Sequence, residues 1–214
     1  MGEVKTRLVP PLTPERARDL YVAFMGDLFE RLPQAKVAPT IFYSGDRVDE
    51  FTPLLPRPWP AIAQRGSDLG ERMTAAFDQL LAEPGSRAVI IGSDSPDLPL
   101  THLRHAFQKL KHRDVVLGPA TDGGYYLIGL RAPMPRLFEG IAWGEASVFA
   151  DTVERIKRGG LTLSMLPVWY DVDDGESLEL LRSLCVARRA AGGLRLSRTE
   201  RALGLDAHGA NRRD

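Results

Sequence analysis

Only one of the 214 residues is cysteine, Cys185, so no disulfide can form within the chain. The lone thiol falls in a stretch of helical apolar spacing, where a free cysteine behaves as a small buried hydrophobe rather than a reactive group. Net charge is equally scarce: Lys and Arg total 28 and Asp and Glu total 28, giving zero. A general nucleic-acid binder carries a basic excess, so this balance argues against nucleic-acid partners. Long apolar runs are lacking too. Nothing approaches the ~20 residues that span a bilayer, and no signal-peptide core opens the chain. Gly2 with Thr6 fits an N-acylation pattern, but one short enough to arise by chance. No repeat and no interdomain linker stands out, and the length suits one α/β domain. These absences lead us to expect a soluble, cytoplasmic protein without a membrane partner.

What is present alternates between two periodicities. Thr13, Pro14 and Glu15 signal a helix start, and Ala17, Leu20, Tyr21, Phe24, Leu28 and Leu32 repeat on one helical face. Val37 to Tyr43 reads as a strand. The prolines at 53, 56, 58 and 60 mark a loop. Ser67 or Asp68 opens a helix with Met73, Ala76, Phe77, Leu80 and Leu81 inward. Arg87 to Gly92 is a short strand of the doubly buried kind, and Thr101 is expected to cap the helix after it. Strands follow at Asp114 to Leu117, Tyr125 to Leu130 and Leu161 to Val168. Ser147 to Arg158 and a segment around Leu178 to Cys185 read as helices. This is an α/β pattern, expected to give a largely parallel sheet covered on both faces. We expect one domain over 1–189 and a disordered tail over 190–214, where Gly and Arg dominate and no apolar face persists.

In open α/β sheets ligands bind beyond the carboxyl ends of the strands. Asp94 directly follows such a strand, with Asp97 beside it. A carboxylate there suits Mg²⁺ or Mn²⁺ bridging phosphate oxygens, and equally a turn around Pro96. The run Asp122-Gly123-Gly124-Tyr125 also follows a strand: glycines admit a ligand close to the backbone, although a plain hairpin uses Asp-Gly as well. Tyr170-Asp171-Val172-Asp173-Asp174 gathers three acids. If extended, it points Asp171 and Asp173 to one side, where like charges need solvent or a cation. Gly2, Lys5 and Arg7 together have the make-up of a phosphate-gripping loop.

Read in order, GEVKTRLVPPL, DLGERM, IGSDSPDLP, GPATDGGYYLIGL, Trp143-Gly144 and YDVDDGESLELL resemble the DUF2064 family across residues 2 to 184. This family is also called radical-SAM/selenodomain-associated transferase 1. The resemblance implies a single-domain glycosyltransferase-A-like fold and a likeness to guanylyltransferases acting on 2-phospholactate and molybdenum cofactor. Members are labelled glycosyltransferases, in some cases linked to arsenosugar biosynthesis. By resemblance, Gly2, Lys5 and Arg7 would meet nucleotide phosphates, with Asp68, Leu69 and Gly70 near the nucleoside. Asp94 and Asp173 would hold the divalent metal. Asp122 would orient or deprotonate the acceptor hydroxyl, and Gly123, Gly124, Tyr125 and Trp143 would border the acceptor.

The chain departs from the family pattern in three places. Asp94-Ser95-Pro96-Asp97 is not the usual Asp-x-Asp, Ser177 stands where the pattern has an acid, and the family's opening apolar strand does not precede the Lys-Thr-Arg loop. From the last departure comes an expectation that a first strand of about 5–6 residues is missing and that the gene starts upstream. The leading functional expectation is a metal-dependent glycosyltransferase using a nucleotide-sugar and a small-molecule acceptor. A nucleotidyltransferase using a nucleoside triphosphate is the alternative, and a nucleotide-sugar-binding protein without turnover is the third.

Overall fold

The computed structural model describes residues 5–45, 49, 52–55 and 59–206. Helix α1 (Pro14–Arg31) begins where the sequence signals it. Thr13 Oγ1 accepts the Arg16 N–H at 3.3 Å and Pro14 takes the first position, where its missing N–H costs nothing. Ala17, Leu20, Phe24 and Leu28 are buried along one stripe. Removing a side chain such as Phe24 from water contributes about 1.5–3 kcal/mol. Then follow β1 (Ile41–Tyr43), β2 (Ala61–Ala63), α2 (Leu69–Leu80), β3 (Ala88–Ile91), α3 (Leu100–Lys109), β4 (Val115–Pro119), β5 (Tyr125–Leu130), α4 (Val148–Arg158), β6 (Leu163–Met165), α5 (Gly175–Ala190) and α6 (Ser197–Ala202).

The described strands form two sheets. β1 and β2 pair in parallel, and the second sheet has the order β3-β5-β4-β6. β5 lies antiparallel to both β3 and β4, while β4 and β6 are parallel. The largely parallel expectation therefore needs one correction. The short link from Pro119 to Tyr125 leaves no room for a crossover, so β5 must return as a hairpin partner of β4. Alternation along these strands feeds a core on each face. Leu117, Ile128 and Leu130 pack with Phe77 and Ile156, whereas Val116 and Leu127 pack with Phe29 and Leu103.

Other expectations also shift. The strands expected over 37–43 and 161–168 shorten to β1 and β6. Pro99 rather than Thr101 precedes α3, without a side-chain cap. Within the proline-dense stretch the described residues make a single 3₁₀ turn, Thr52–Leu54; Pro56 and Pro58 lie outside them.

The tail expectation is overturned as far as residue 206. Leu196 and Leu203 join Leu8, Phe24, Leu181 and Cys185 in one buried cluster. Asp27 of α1 accepts the backbone N–H groups of Arg198 and Thr199 at 3.1 and 2.8 Å, supplying α6 with the cap its own sequence lacks. These polar contacts from a distant helix leave no apolar period to read. Residues 207–214 lie outside the described set. Cys185 is 2% exposed, and burial pushes its thiol up to about 11, as a structural cysteine requires. Among the described residues no helix is long and apolar enough to cross a membrane.

Candidate active site

The site forms where two strand ends are stitched together. Beyond β3 the chain turns through Ser93 to Asp97; beyond β6 the segment 167–173 runs beside the end of β4. Trp169 N–H donates to Pro119 O at 3.0 Å, and Val172 N–H donates to Asp94 O at 3.0 Å. The Ser95 hydroxyl reaches Tyr170 O at 3.0 Å and Asp171 Oδ1 at 2.5 Å. Because the segment is extended, Val172 is fully buried while Asp171 and Asp173 both line the cavity in front.

Lys5 closes this arrangement. Its Nζ lies 2.6 Å from Asp94 Oδ1 and 2.6 Å from Asp173 Oδ1, which keeps those oxygens within about twice that distance of each other. The lysine side chain is 6% exposed against 37% and 41% for the two carboxylates. Burial alone would lower its pKa, but Asp94 and Asp173 outweigh that and hold it above the ordinary value. The Lys5 backbone sits at φ 55°, ψ 41°, a region uncommon outside glycine, just before the 3₁₀ turn Thr6–Leu8 that fully buried Leu8 anchors. The ammonium also stands 5.8 Å from the centre of the Tyr21 ring, whose hydroxyl shares a 2.6 Å hydrogen bond with Ser93 Oγ. Burial pushes the Asp171 carboxyl up to about 6; the Ser95 hydroxyl opposes this, and neighbouring Asp94, Asp173 and Asp122 add to it.

The cavity over these groups measures about 560 Å³ and is lined by side chains of two kinds. Lys5, Arg7, Asp94, Asp122, Glu145, Asp171 and Asp173 are ionic, whereas Leu69, Tyr125, Trp143 and Val148 are largely apolar. Asp122 is partly committed, since its Oδ1 accepts the Gly124 N–H at 2.9 Å. Gly123 is not among the lining residues; at φ +91°, a Cβ there would lie 2.3 Å from Ala146 O, so packing alone requires glycine.

Several residues chosen from the sequence sit elsewhere. Asp68 is the N-cap of α2, accepting the Glu71 N–H at 2.8 Å, and borders a separate cavity of about 450 Å³. Gly70 lines that cavity too and admits Trp143, whose Nε1 would be 2.8 Å from an added Cβ. Gly2 lies outside the described residues. Asp97 turns away from the cavity, its side chain fully buried against Tyr170 and Arg188. Ser177, the departure from the acidic pattern, completes a capping box: its N–H donates to Asp174 Oδ1 at 2.8 Å and its Oγ accepts the Asp174 N–H at 3.1 Å. Of the three residues expected near the nucleoside only Leu69 lines this cavity, and sequence reasoning passed over Tyr21, Glu145 and Val148 as cavity residues. Asp171 was legible from its alternation with Asp173; Tyr21 was hidden in the apolar stripe of α1.

Among the described residues no three His, Cys, Asp or Glu side chains converge into a complete metal cage. Two carboxylates already gathered around one cation nevertheless fit a hard ion. Mg²⁺ in particular is held by one or two carboxylates plus water and substrate phosphate.

The model of a family described as an uncharacterized protein conserved in bacteria, DUF2064, matches residues 28–145. A crystal structure from Desulfovibrio desulfuricans G20, provisionally named a nucleotide-diphospho-sugar transferase, is 36% identical with a TM-score of 0.82. The match covers 96% of this chain and 90% of that one. A CMP:2-keto-3-deoxy-manno-octonic acid synthetase complexed with CTP shares the fold, with a TM-score of 0.53 at 12% identity over 77% of this chain and 88% of that one. Comparison with curated proteins gives no match.

Proposed function

The chain belongs to the DUF2064 family, and from that premise we propose that it is a divalent-metal-dependent glycosyltransferase that takes a sugar from a nucleoside diphosphate. One observation carries this reading: Asp94 and Asp173 share a single positive charge, and all three groups line the same cavity. Asp94 and Asp173 would hold Mg²⁺ or Mn²⁺, which when bound supplies charge neutralisation for a diphosphate leaving group. Arg7, exposed and lining the cavity, would add hydrogen bonds to phosphate oxygens. Leu69, Tyr125 and Trp143 would offer apolar surface to a ring. Asp122, which also lines the cavity, would orient or deprotonate the acceptor hydroxyl. The reaction is expected in the cytoplasm.

The basic loop favours a second reading, nucleotidyl transfer from a nucleoside triphosphate to a phosphorylated acceptor. A Mn²⁺-supplemented assay, run separately with nucleotide-sugars and nucleoside triphosphates, decides between them. Released nucleoside diphosphate supports glycosyl transfer and pyrophosphate supports nucleotidyl transfer. Tight nucleotide binding with neither product would reduce the protein to a binder.

A further inference from the structure

The charge of Lys5 is already answered where it stands. Its ammonium is within 2.6 Å of two carboxylates and almost out of solvent, so its charge is compensated before any substrate arrives. The point it occupies, between Asp94 Oδ1 and Asp173 Oδ1, is also the point from which a cation would touch both. An ammonium nitrogen and a metal ion cannot share it. The backbone makes displacement local: Lys5 precedes a turn pinned by Leu8, so its side chain can swing without disturbing the sheet. Arg7, two residues on, already lines the cavity and marks where phosphate charge would gather.

We propose that Lys5 and the divalent cation are alternative occupants of one seat between Asp94 and Asp173. Lys5 is thus a built-in counter-ion that holds the two strand ends together until a metal displaces it toward the cavity. This rests on the cation reading above and adds a competition that the reading does not require. A tethered ammonium acts at an effective concentration in the millimolar range or higher, so its removal is expected to raise affinity for Mn²⁺ alone by about tenfold or more.

The test measures Mn²⁺ binding without nucleotide, from the paramagnetic resonance signal of the free ion, for wild type, Lys5→Met and Asp94→Asn. Tighter binding by Lys5→Met, with loss in Asp94→Asn, is the expected result. Equal or weaker binding by a folded Lys5→Met protein, with Asp94→Asn still impaired, overturns the competition and leaves the cation site standing. Unchanged binding in Asp94→Asn, or no binding by either wild type or Lys5→Met, overturns both. Should Lys5→Met fail to fold, reductive methylation of wild type read by mass spectrometry takes its place. Saturating Mn²⁺ should increase labelling of Lys5 several-fold, and unchanged labelling overturns the proposal.

Discussion

Asp94 and Asp97 are the same residue type three positions apart in one turn, yet they face opposite sides of it. Asp94 looks forward, its side chain 37% exposed, sharing Lys5 with Asp173. Asp97 looks back, fully buried, accepting the Tyr170 hydroxyl at 2.7 Å, with Arg188 Nη1 2.9 Å away as an ion pair. From α1, Arg31 reinforces this rear side by donating to the carbonyls of Pro96 and Leu98, the latter at 2.8 Å. The difference teaches that a carboxylate's role here follows from its counter-charges. The rear acid meets cations supplied by helices and serves the fold. The front acid belongs to a pair of acids with one lysine between them, an excess of negative charge that a further cation could use.

The sharpest way to break this comparison is to remove the rear acid. Asp97→Ala leaves the Arg188 guanidinium and the Tyr170 hydroxyl facing an interior without their acceptor. Breaking a buried ion pair costs about 3–5 kcal/mol, and urea titration should show a loss of that order. A variant that unfolds like wild type would mean Asp97 is not the anchor its burial indicates. The front acid should behave in the opposite way. Asp94→Asn is expected to weaken Mn²⁺-dependent nucleotide binding by a hundredfold or more, about 2.8 kcal/mol. Its midpoint in urea should move less than that of Asp97→Ala, because the Asp94 carboxylate is partly solvated and Lys5 keeps Asp173 as a partner. Unchanged affinity by calorimetry would refute the metal assignment.

The same contrast separates what the sequence makes legible from what it hides. Local signals are readable: Thr13 with Pro14 at the start of α1, Asp68 at the start of α2, and the alternation that buries Val172 and turns Asp171 and Asp173 to one cavity. The strand-end rule finds Asp94 for the same reason, since it needs only the end of β3. What stays hidden depends on partners far along the chain. Asp97 cannot be told from Asp94 without Arg188, nor Gly70 from a ligand-facing glycine without Trp143. The segment after Ala190 looks structureless until Asp27, Arg189 and Arg195 are placed around it.

Glu200 sharpens the comparison by inverting the charge ratio: one buried acid between two arginines, with Arg189 Nη2 at 2.6 Å and Arg195 Nη2 at 2.7 Å. Glu200→Gln should cost about 1.5–3 kcal/mol, the worth of a hydrogen bond to a charged group. The cost stays below that of Asp97→Ala because Arg189 and Arg195 are 31% and 49% exposed and can turn to solvent. Burial alone would raise the Glu200 carboxyl, but hydrogen bonds from Arg195, Arg189 and the Leu196 N–H bring it down to about 2 from an ordinary 4.5. A depressed carboxyl stabilises fully above its unfolded value and loses that contribution as acid protonates it. The stability gap between wild type and Glu200→Gln should therefore be constant above about pH 4.5 and close as pH falls toward about 2. A gap insensitive to pH over that window would mean the ion pairs contribute nothing.

The smallest effect separates the two cations of the opening loop. Lys5 is nearly buried and spent on two carboxylates; Arg7 is exposed and lines the same cavity. If counter-charge decides role for bases as it does for acids, Arg7 is the residue whose loss a phosphate should feel. Arg7→Ala is expected to weaken nucleotide binding by about tenfold, or about 1.4 kcal/mol. The effect should shrink as salt is raised, because an exposed guanidinium is screened while the pair at Lys5 is not. Lys5→Met should cost less, since the lost cation is offset by a tighter hold on the metal between Asp94 and Asp173. Titrating wild type with a nucleotide and its unphosphorylated nucleoside checks the premise beneath both numbers. Equal affinity for the two would remove phosphate from recognition altogether, and with it the reason for assigning Arg7 a role distinct from that of Lys5.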